Sequence, residues 1–224
     1  MNSPTLIFTP NSLSSSIFYT KETDGGGSWF GQEYINIINN RYPNRIFNNC
    51  YEWCSGPGFI GYSILANNLC SNLWLTDIHY PAIQLAKETA TYPKNNWNNN
   101  VSVYLLEDLA LLPTTAMFDL IVSNPPHFVD VVSGDDSNKN RICTDVDWAA
   151  HKNFFANIKS HLAPDGIILL QENMLGSTIE SFRPFIESAG LKITDWFKSD
   201  IWFKEDSRPQ IYYIEIMHNE NILR

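Results

Sequence analysis

From about residue 50 onward, short apolar runs alternate with stretches of helical periodicity, and no other feature of the sequence constrains the fold as much. Such alternation is the written form of repeated strand–helix–strand units, which close as a largely parallel sheet covered by helices. The first strand reads Ile46 to Trp53. It passes through the glycine turn CSGPGFIG into a helix from about Phe59 to Asn68, with Ile60, Ile64 and Leu65 on its apolar face. LWLTD, Leu73 to Asp77, is followed by a helix from about Pro81 to Ala90, where Pro81 suits a first helical turn. VSVYLLED and FDLIVSNPP supply a third and a fourth strand, each ending in polar residues. A helix from about Trp148 to Leu162 leads through APDG into the fifth strand, GIILLQE. Ser177 to Ala189 reads as a helix closed by Gly190, LKITDWF as a sixth strand, and IYYIEIM as the last, its hairpin partner at the end of the sheet.

The first 45 residues break this rhythm with a Ser-rich turn (NSLSSS), a GGG triplet and an amphipathic helix around Glu33 to Tyr42. They predict a short hairpin and a helix, which either lie across the carboxyl edge of the sheet as a lid or simply pack against it. As a lid, Tyr19, Trp29 and Phe30 would close over a small substrate, with contacts from the polar loop Gly134 to Asp147 on the other side. Residues 1–45 are thus read as an N-terminal lid segment and 46–224 as one α/β domain, a size that a single core can hold together.

Lys and Arg number 15 against 24 Asp and Glu, a formal charge of −9. That balance, with its basic residues scattered, would repel a phosphate backbone, so the expectation is a small-molecule or peptide substrate with nucleic acid disfavoured. No apolar run approaches the roughly 18 residues of a membrane span, and MNSPTLIFTP lacks a basic region before an apolar one, which predicts a cytoplasmic protein without a membrane partner. Cys50, Cys54, Cys70 and Cys143 form no CxxC pair, so neither a structural metal site nor a disulfide framework is expected. The oligomeric state is open, a homodimer being one form that aromatics near the N-terminus would suit.

In an open parallel sheet the ligand crevice lies outside the carboxyl ends of the strands. Four of those ends are polar here. Glu52-Trp53-Cys54-Ser55-Gly56-Pro57-Gly58 lets a ligand approach the backbone before a helix N-terminus, although a glycine turn can also be only a tight connection. Asp77, about 20 residues beyond that turn, could accept hydrogen bonds from two ribose hydroxyls or could cap the next helix. Asp108 could accept from a purine amino group, or be an ordinary loop residue. At Asn124-Pro125-Pro126-His127, the sharpest signal, two prolines fix φ so that the Asn124 carboxamide and the Pro125 carbonyl can be held as acceptors for an incoming amino group; the alternative is a strand merely ended by prolines.

Together, EWCSGPGFIG, LTDIH, LLEDLALLP and SNPPHF resemble, in order, the cofactor and acceptor motifs of the class I S-adenosylmethionine-dependent methyltransferases. The resemblance covers nearly all of the chain from residue 46 and is greatest to the NPPY, small-domain branch that methylates nitrogens. It implies a Rossmann-like fold with a seven-stranded, mostly parallel sheet, helices on both faces, strand order 3-2-1-4-5-7-6, and S-adenosylmethionine as cofactor. It further implies that Glu52 and the backbone of Cys54, Gly56 and Gly58 hold the methionine end of the cofactor, Asp77 the ribose, Ile78 one adenine face, and Asp108 with Leu109 the adenine rim. Asn124 and Pro125 would orient an amine or amide nitrogen for in-line attack on the methyl group.

Two positions depart from the family pattern. Cys54 occupies the place of the usual first glycine. His127 replaces an aromatic residue that stacks on a planar substrate; its imidazole can stack as well, or accept a proton from the nucleophile, or simply wall the pocket. His151 reads as a packing residue, and His79, His161 and His218 as surface or cap residues. Two other outcomes fit the same motifs: attack on the aminocarboxypropyl chain with release of methylthioadenosine, and a non-catalytic cofactor-binding subunit.

Overall fold

The structure, a computed structural model, describes residues 5–9, 15–95, 97, 100–106, 108–130, 142–201 and 210–219. The chain divides into two compact units, residues 1–107 and 108–224.

In the first unit, β1 (Leu6–Phe8) and β2 (Ile17–Tyr19) form the expected hairpin, followed by α1 (Gly27–Arg41), β3 (Phe47–Trp53), α2 (Phe59–Ala66), β4 (Cys70–Asp77), α3 (Tyr80–Thr91) and β5 (Val101–Leu105). β4 pairs in parallel with both β3 and β5, with Glu52 opposite Leu75 and Asp77 opposite Leu105. Buried Tyr51 and Thr76 share a 2.6 Å hydrogen bond across the first of these pairs. α2 runs so close over β3 and β4 that a Cβ on Gly61 would stand 2.6 Å from Leu73 and 2.7 Å from the Glu52 carboxyl.

α1 begins earlier than the Glu33 to Tyr42 periodicity suggests. Asp24 explains the difference: its carboxylate accepts the Gly26 N–H at 2.9 Å and the Ser28 hydroxyl at 2.7 Å, so the glycine triplet becomes the start of the helix. The hairpin is fastened within its own unit. Thr89 Oγ1 accepts the Phe18 N–H at 2.9 Å, Asn95 bonds both backbone groups of Ser16, and the rings of Phe8 and Tyr19 meet Phe59 edge-on. These are packing contacts, with Phe30 buried and Trp29 largely exposed.

In the second unit, β6 (Phe118–Ser123), α4 (Ala149–Ile158), β7 (Leu162–Asn173), α5 (Ile179–Ser188), β8 (Leu191–Lys198) and β9 (Ile211–His218) follow one another. β6 runs parallel to β7, and β9 lies antiparallel to both β7 and β8. The seven strands β3 to β9 stand in one mixed sheet in the order β5-β4-β3-β6-β7-β9-β8, which, counted from β3, is the expected 3-2-1-4-5-7-6.

Three local readings change. APDG is not a turn but lies inside β7, where the register to β6 shifts between Phe118 opposite Leu162 and Leu120 opposite Ile167; the extra residues form a bulge. The helix expected to start at Trp148 starts one residue later, because Asp147 and Trp148 take left-handed backbone angles of 54° and 56°. His161 is buried, not on the surface, and its Nδ1 donates to the Ala116 carbonyl at 2.9 Å. The Ser-rich turn at 11–14, half of the NNWNNN run and most of the polar loop expected at 134–147 lie outside the described residues, as do 202–209.

Candidate active site

At the carboxyl end of β3 the backbone turns through Cys54 (φ 52°), Gly56 (φ 52°) and Gly58 (φ 89°) before entering α2. Gly58 is required twice over, by its left-handed angle and because a Cβ there would lie 2.7 Å from the Tyr62 ring and 2.8 Å from Leu75. Cys54 holds a left-handed conformation that costs a non-glycine residue about 1 kcal/mol, which is why a glycine suits this place.

Asp77 ties this turn to the next helix. One carboxyl oxygen accepts the Gly56 N–H at 2.7 Å and the other accepts the His79 N–H at 2.7 Å. Asp77 therefore does not cap α3, whose N-cap is His79; it ties down the backbone just before the helix, and each oxygen retains a lone pair for a further donor. Burial pushes its pKa up, against the opposing pull of the His79 and Gly56 N–H groups. Ile78 beside it is exposed.

Glu52 faces α2. Its Oε2 accepts the Gly61 N–H at 2.7 Å, and burial pushes its pKa up to about 8, against the Gly61 and Ile60 N–H groups. At neutral pH it is largely a protonated acid braced against the helix.

In the second unit Asp108 caps a short turn, Leu109–Leu111. Its Oδ1 accepts from Asn153 Nδ2 at 2.9 Å and from the Ala110 N–H at 2.9 Å, and the Asn153 bond, more than the second, holds its pKa below the usual carboxylate value. Asn153 on α4 also accepts the Leu109 N–H at 3.3 Å, so one side chain brackets both expected adenine-rim residues. The sequence does not announce Asn153.

β6 delivers Asn124, Pro125, Pro126 and His127 at its carboxyl end, with Pro125 buried and the others half-buried. Pairing continues past them: Phe128 donates its N–H to Cys143 at 3.0 Å and accepts the Asp145 N–H at 2.8 Å. The loop after β7 closes on the same segment, since a Cβ on Gly176 would collide with the His127 carbonyl and the Phe128 ring.

His127 Nδ1 stands 3.2 Å from Glu172 Oε2. Glu172 Oε1 in turn faces His151 Nε2 at 2.9 Å, and His151 Nδ1 faces Asp145 Oδ2 at 2.6 Å. Ser177 adds a 3.3 Å hydroxyl bond to Glu172 and a 3.0 Å contact with the Tyr212 hydroxyl. His151 does pack, stacked on Phe182 and edge-on to Trp148, but with both nitrogens on carboxylates it is more than a packing residue.

Burial alone would lower the His151 pKa, and the Glu172 charge and then the Asp145 hydrogen bond outweigh it and raise it. Both ring nitrogens face carboxylate oxygens, which only accept, so His151 donates from both as an imidazolium. Burial would raise Glu172, but the His151 charge and the His127 bond bring it below its usual value; Asp145 likewise ends low, through His151 and the Ala150 N–H. The sequence held one unused signal for this cluster. Glu172 is a fifth polar strand end, closing GIILLQEN.

The methyltransferase small domain family matches residues 35–175. A tRNA1(Val) (adenine(37)-N6)-methyltransferase of Glaesserella parasuis serovar 5 (strain SH0165) is 28% identical over 114 residues, which are 51% of this chain and 46% of that protein. This chain thus spans about half the length of that relative. Among solved structures, the tRNA m1G37 methyltransferase of M. jannaschii aligns with a TM-score of 0.61 at 14% identity, over 98% of this chain and 56% of that one. The ribosomal protein L11 methylase of Lactobacillus delbrueckii subsp. bulgaricus aligns with a TM-score of 0.56 at 15% identity, over 85% and 79%. At such identities these structures show the fold alone.

One expectation is corrected by these relatives. The acidic balance does not set nucleic acid aside, because the curated relative is by name a tRNA methyltransferase. A summed charge of −9 describes the whole surface, whereas a nucleic acid meets one face of it.

Proposed function

Since this chain belongs to the methyltransferase small domain family and is a class I S-adenosylmethionine-dependent methyltransferase, we propose that it methylates a nitrogen, and that the acceptor is the exocyclic amino group of an adenine in RNA. The observation that carries this reading is the rigid Asn124-Pro125-Pro126-His127 end of β6, braced by the loop at Gly176. The name of the curated relative supports the acceptor class.

The cofactor is S-adenosylmethionine, which supplies a methyl group on a positively charged sulfur. The residues present suit it. The turn at Cys54, Gly56 and Gly58 presents backbone without bulky side chains to the methionine end, and Glu52 braces the helix that follows. Asp77 has lone pairs left for the ribose hydroxyls, exposed Ile78 offers an apolar face to adenine, and Asp108 with Leu109 would contact the adenine rim.

Asn124 and the Pro125 carbonyl accept the two hydrogens of the incoming amino group and point its lone pair at the methyl. Orientation of this kind can contribute up to roughly 7–11 kcal/mol. The reaction is assigned to the cytoplasm; no helix among the described residues is long and apolar enough to cross a membrane.

The test offers purified protein and labelled S-adenosylmethionine to total unmodified tRNA, to a peptide mixture and to a metabolite extract. Label entering the RNA supports the proposal, and label entering only peptide or metabolite overturns the acceptor assignment.

A further inference from the structure

Methylation of an amino nitrogen leaves a proton to dispose of. As the N–C bond forms and the C–S bond breaks, its electron pair passing to sulfur, the new methylated nitrogen carries a positive charge and one proton too many. The described residues around Asn124 include one cluster built to receive it, three residues further along the chain.

We propose that Glu172, held by His151 and Asp145, fixes the His127 imidazole with its proton on Nδ1, so that Nε2 is the base that takes the proton released from the methylated nitrogen. This rests on the nitrogen-methylation reading and assigns a base to it.

A carboxylate can only accept, so Nδ1, 3.2 Å from Glu172 Oε2, must be the donor, and the lone pair of the neutral ring is then on Nε2. Glu172 cannot swing away. His151 and Ser177 occupy its oxygens, and His151 is clamped by Asp145, whose carboxylate also accepts the Ala150 and His151 N–H groups at the start of α4. The backbone of His127 is equally fixed, because the chain at Gly176 leaves no room for a Cβ beside its carbonyl.

The charges also match the task. With both His151 nitrogens donating to carboxylates, Asp145, His151 and Glu172 amount to two carboxylates around one imidazolium, one surplus negative charge in a buried cluster. Tyr212, facing it through Ser177, stays neutral because burial pushes its phenol far up. A proton arriving on His127 therefore neutralises the surplus, and the imidazolium stays paired with Glu172. The proton then leaves to water, since the His127 side chain keeps 13% of its surface exposed.

Two readouts on the full chain decide this. The first is the ring-nitrogen NMR spectrum of His127, assigned by its loss in His127→Ala; it requires no turnover. A neutral ring protonated on Nδ1, turning to a mixture of tautomers in Glu172→Gln, supports the proposal, and a ring protonated on Nε2 overturns it.

The second is kinetic. His127→Ala leaves Asp145, His151 and Glu172 in place, and its kcat falls by about 10²-fold or more. KM for S-adenosylmethionine stays within about twofold, and added imidazole restores rate in proportion to its concentration. A kcat within about threefold of wild type, or a loss that imidazole does not restore, overturns the proposal. If the wild-type protein methylates no RNA, the acceptor reading fails, while the tautomer of His127 still decides the present inference.

Discussion

His151 Nε2 stands 2.9 Å from Glu172 Oε1, and neither side chain is exposed. An ion pair at that depth has little net value against an apolar substitute, but removing one partner strands the other.

His151→Ala leaves two carboxylates, Asp145 and Glu172, buried without their shared cation. The expected loss is about 3–5 kcal/mol of folding stability, read by urea unfolding at neutral pH. A loss below about 1 kcal/mol would mean that the three groups are not charged as described.

The same cluster sets a pH range. His151 has a raised pKa in the folded chain, so its contribution is complete below its unfolded pKa and fades as pH rises through the folded value. Asp145 and Glu172 have lowered pKa values, so theirs is complete above the unfolded carboxylate range and fades as pH falls through the folded values. Stability from this cluster should therefore peak at intermediate pH, and in His151→Ala the alkaline limb attributable to the imidazolium should vanish.

Glu52 acts with the opposite sign to Asp145 and Glu172. Its pKa rises on folding from 4.5 to about 8, so stability should decline as pH climbs through that window, by on the order of 5 kcal/mol in all. Glu52→Gln, which keeps an acceptor for the Gly61 N–H, should flatten this slope in a thermal-denaturation series from pH 4.5 to 8.

Gly58→Ala places a methyl against Tyr62 and Leu75 at a left-handed backbone angle of 89°. A destabilisation of roughly 1–3 kcal/mol is expected by chemical denaturation, with weaker binding of S-adenosylmethionine in calorimetry.

Asp77→Ala and Asn124→Ala should separate binding from turnover. The first removes the acceptor for two backbone N–H groups and for the ribose, and should weaken cofactor binding by about 10²-fold or more. The second should lower kcat by roughly 10²-fold with cofactor affinity nearly unchanged, since orientation is lost but binding is not.

Local signals carried most of the architecture. The strand–turn–helix punctuation around Gly58 and Asp77 and the proline stop after Asn124 are encoded within a few residues and foretold the polar strand ends, whereas the sheet order followed from the resemblance to the class I methyltransferases. What stayed hidden depends on distant partners. Glu172 meets His127 across 45 residues of chain and His151 across 21, and a single glutamate at a strand end does not declare either. The early start of α1 was missed because a carboxylate, Asp24, compensates for a glycine run that by itself reads as a breaker. The β7 bulge was missed because PDG reads as a turn wherever it occurs.

Methylation of adenine in RNA is decided by digesting tRNA after reaction with S-adenosylmethionine and quantifying, by mass spectrometry, both the methylated nucleoside and the nucleoside released from the cofactor. The predicted result is N6-methyladenosine in the RNA and an equal amount of S-adenosylhomocysteine. Methylthioadenosine in place of S-adenosylhomocysteine, or S-adenosylhomocysteine formed without any methylated adenosine, would contradict it.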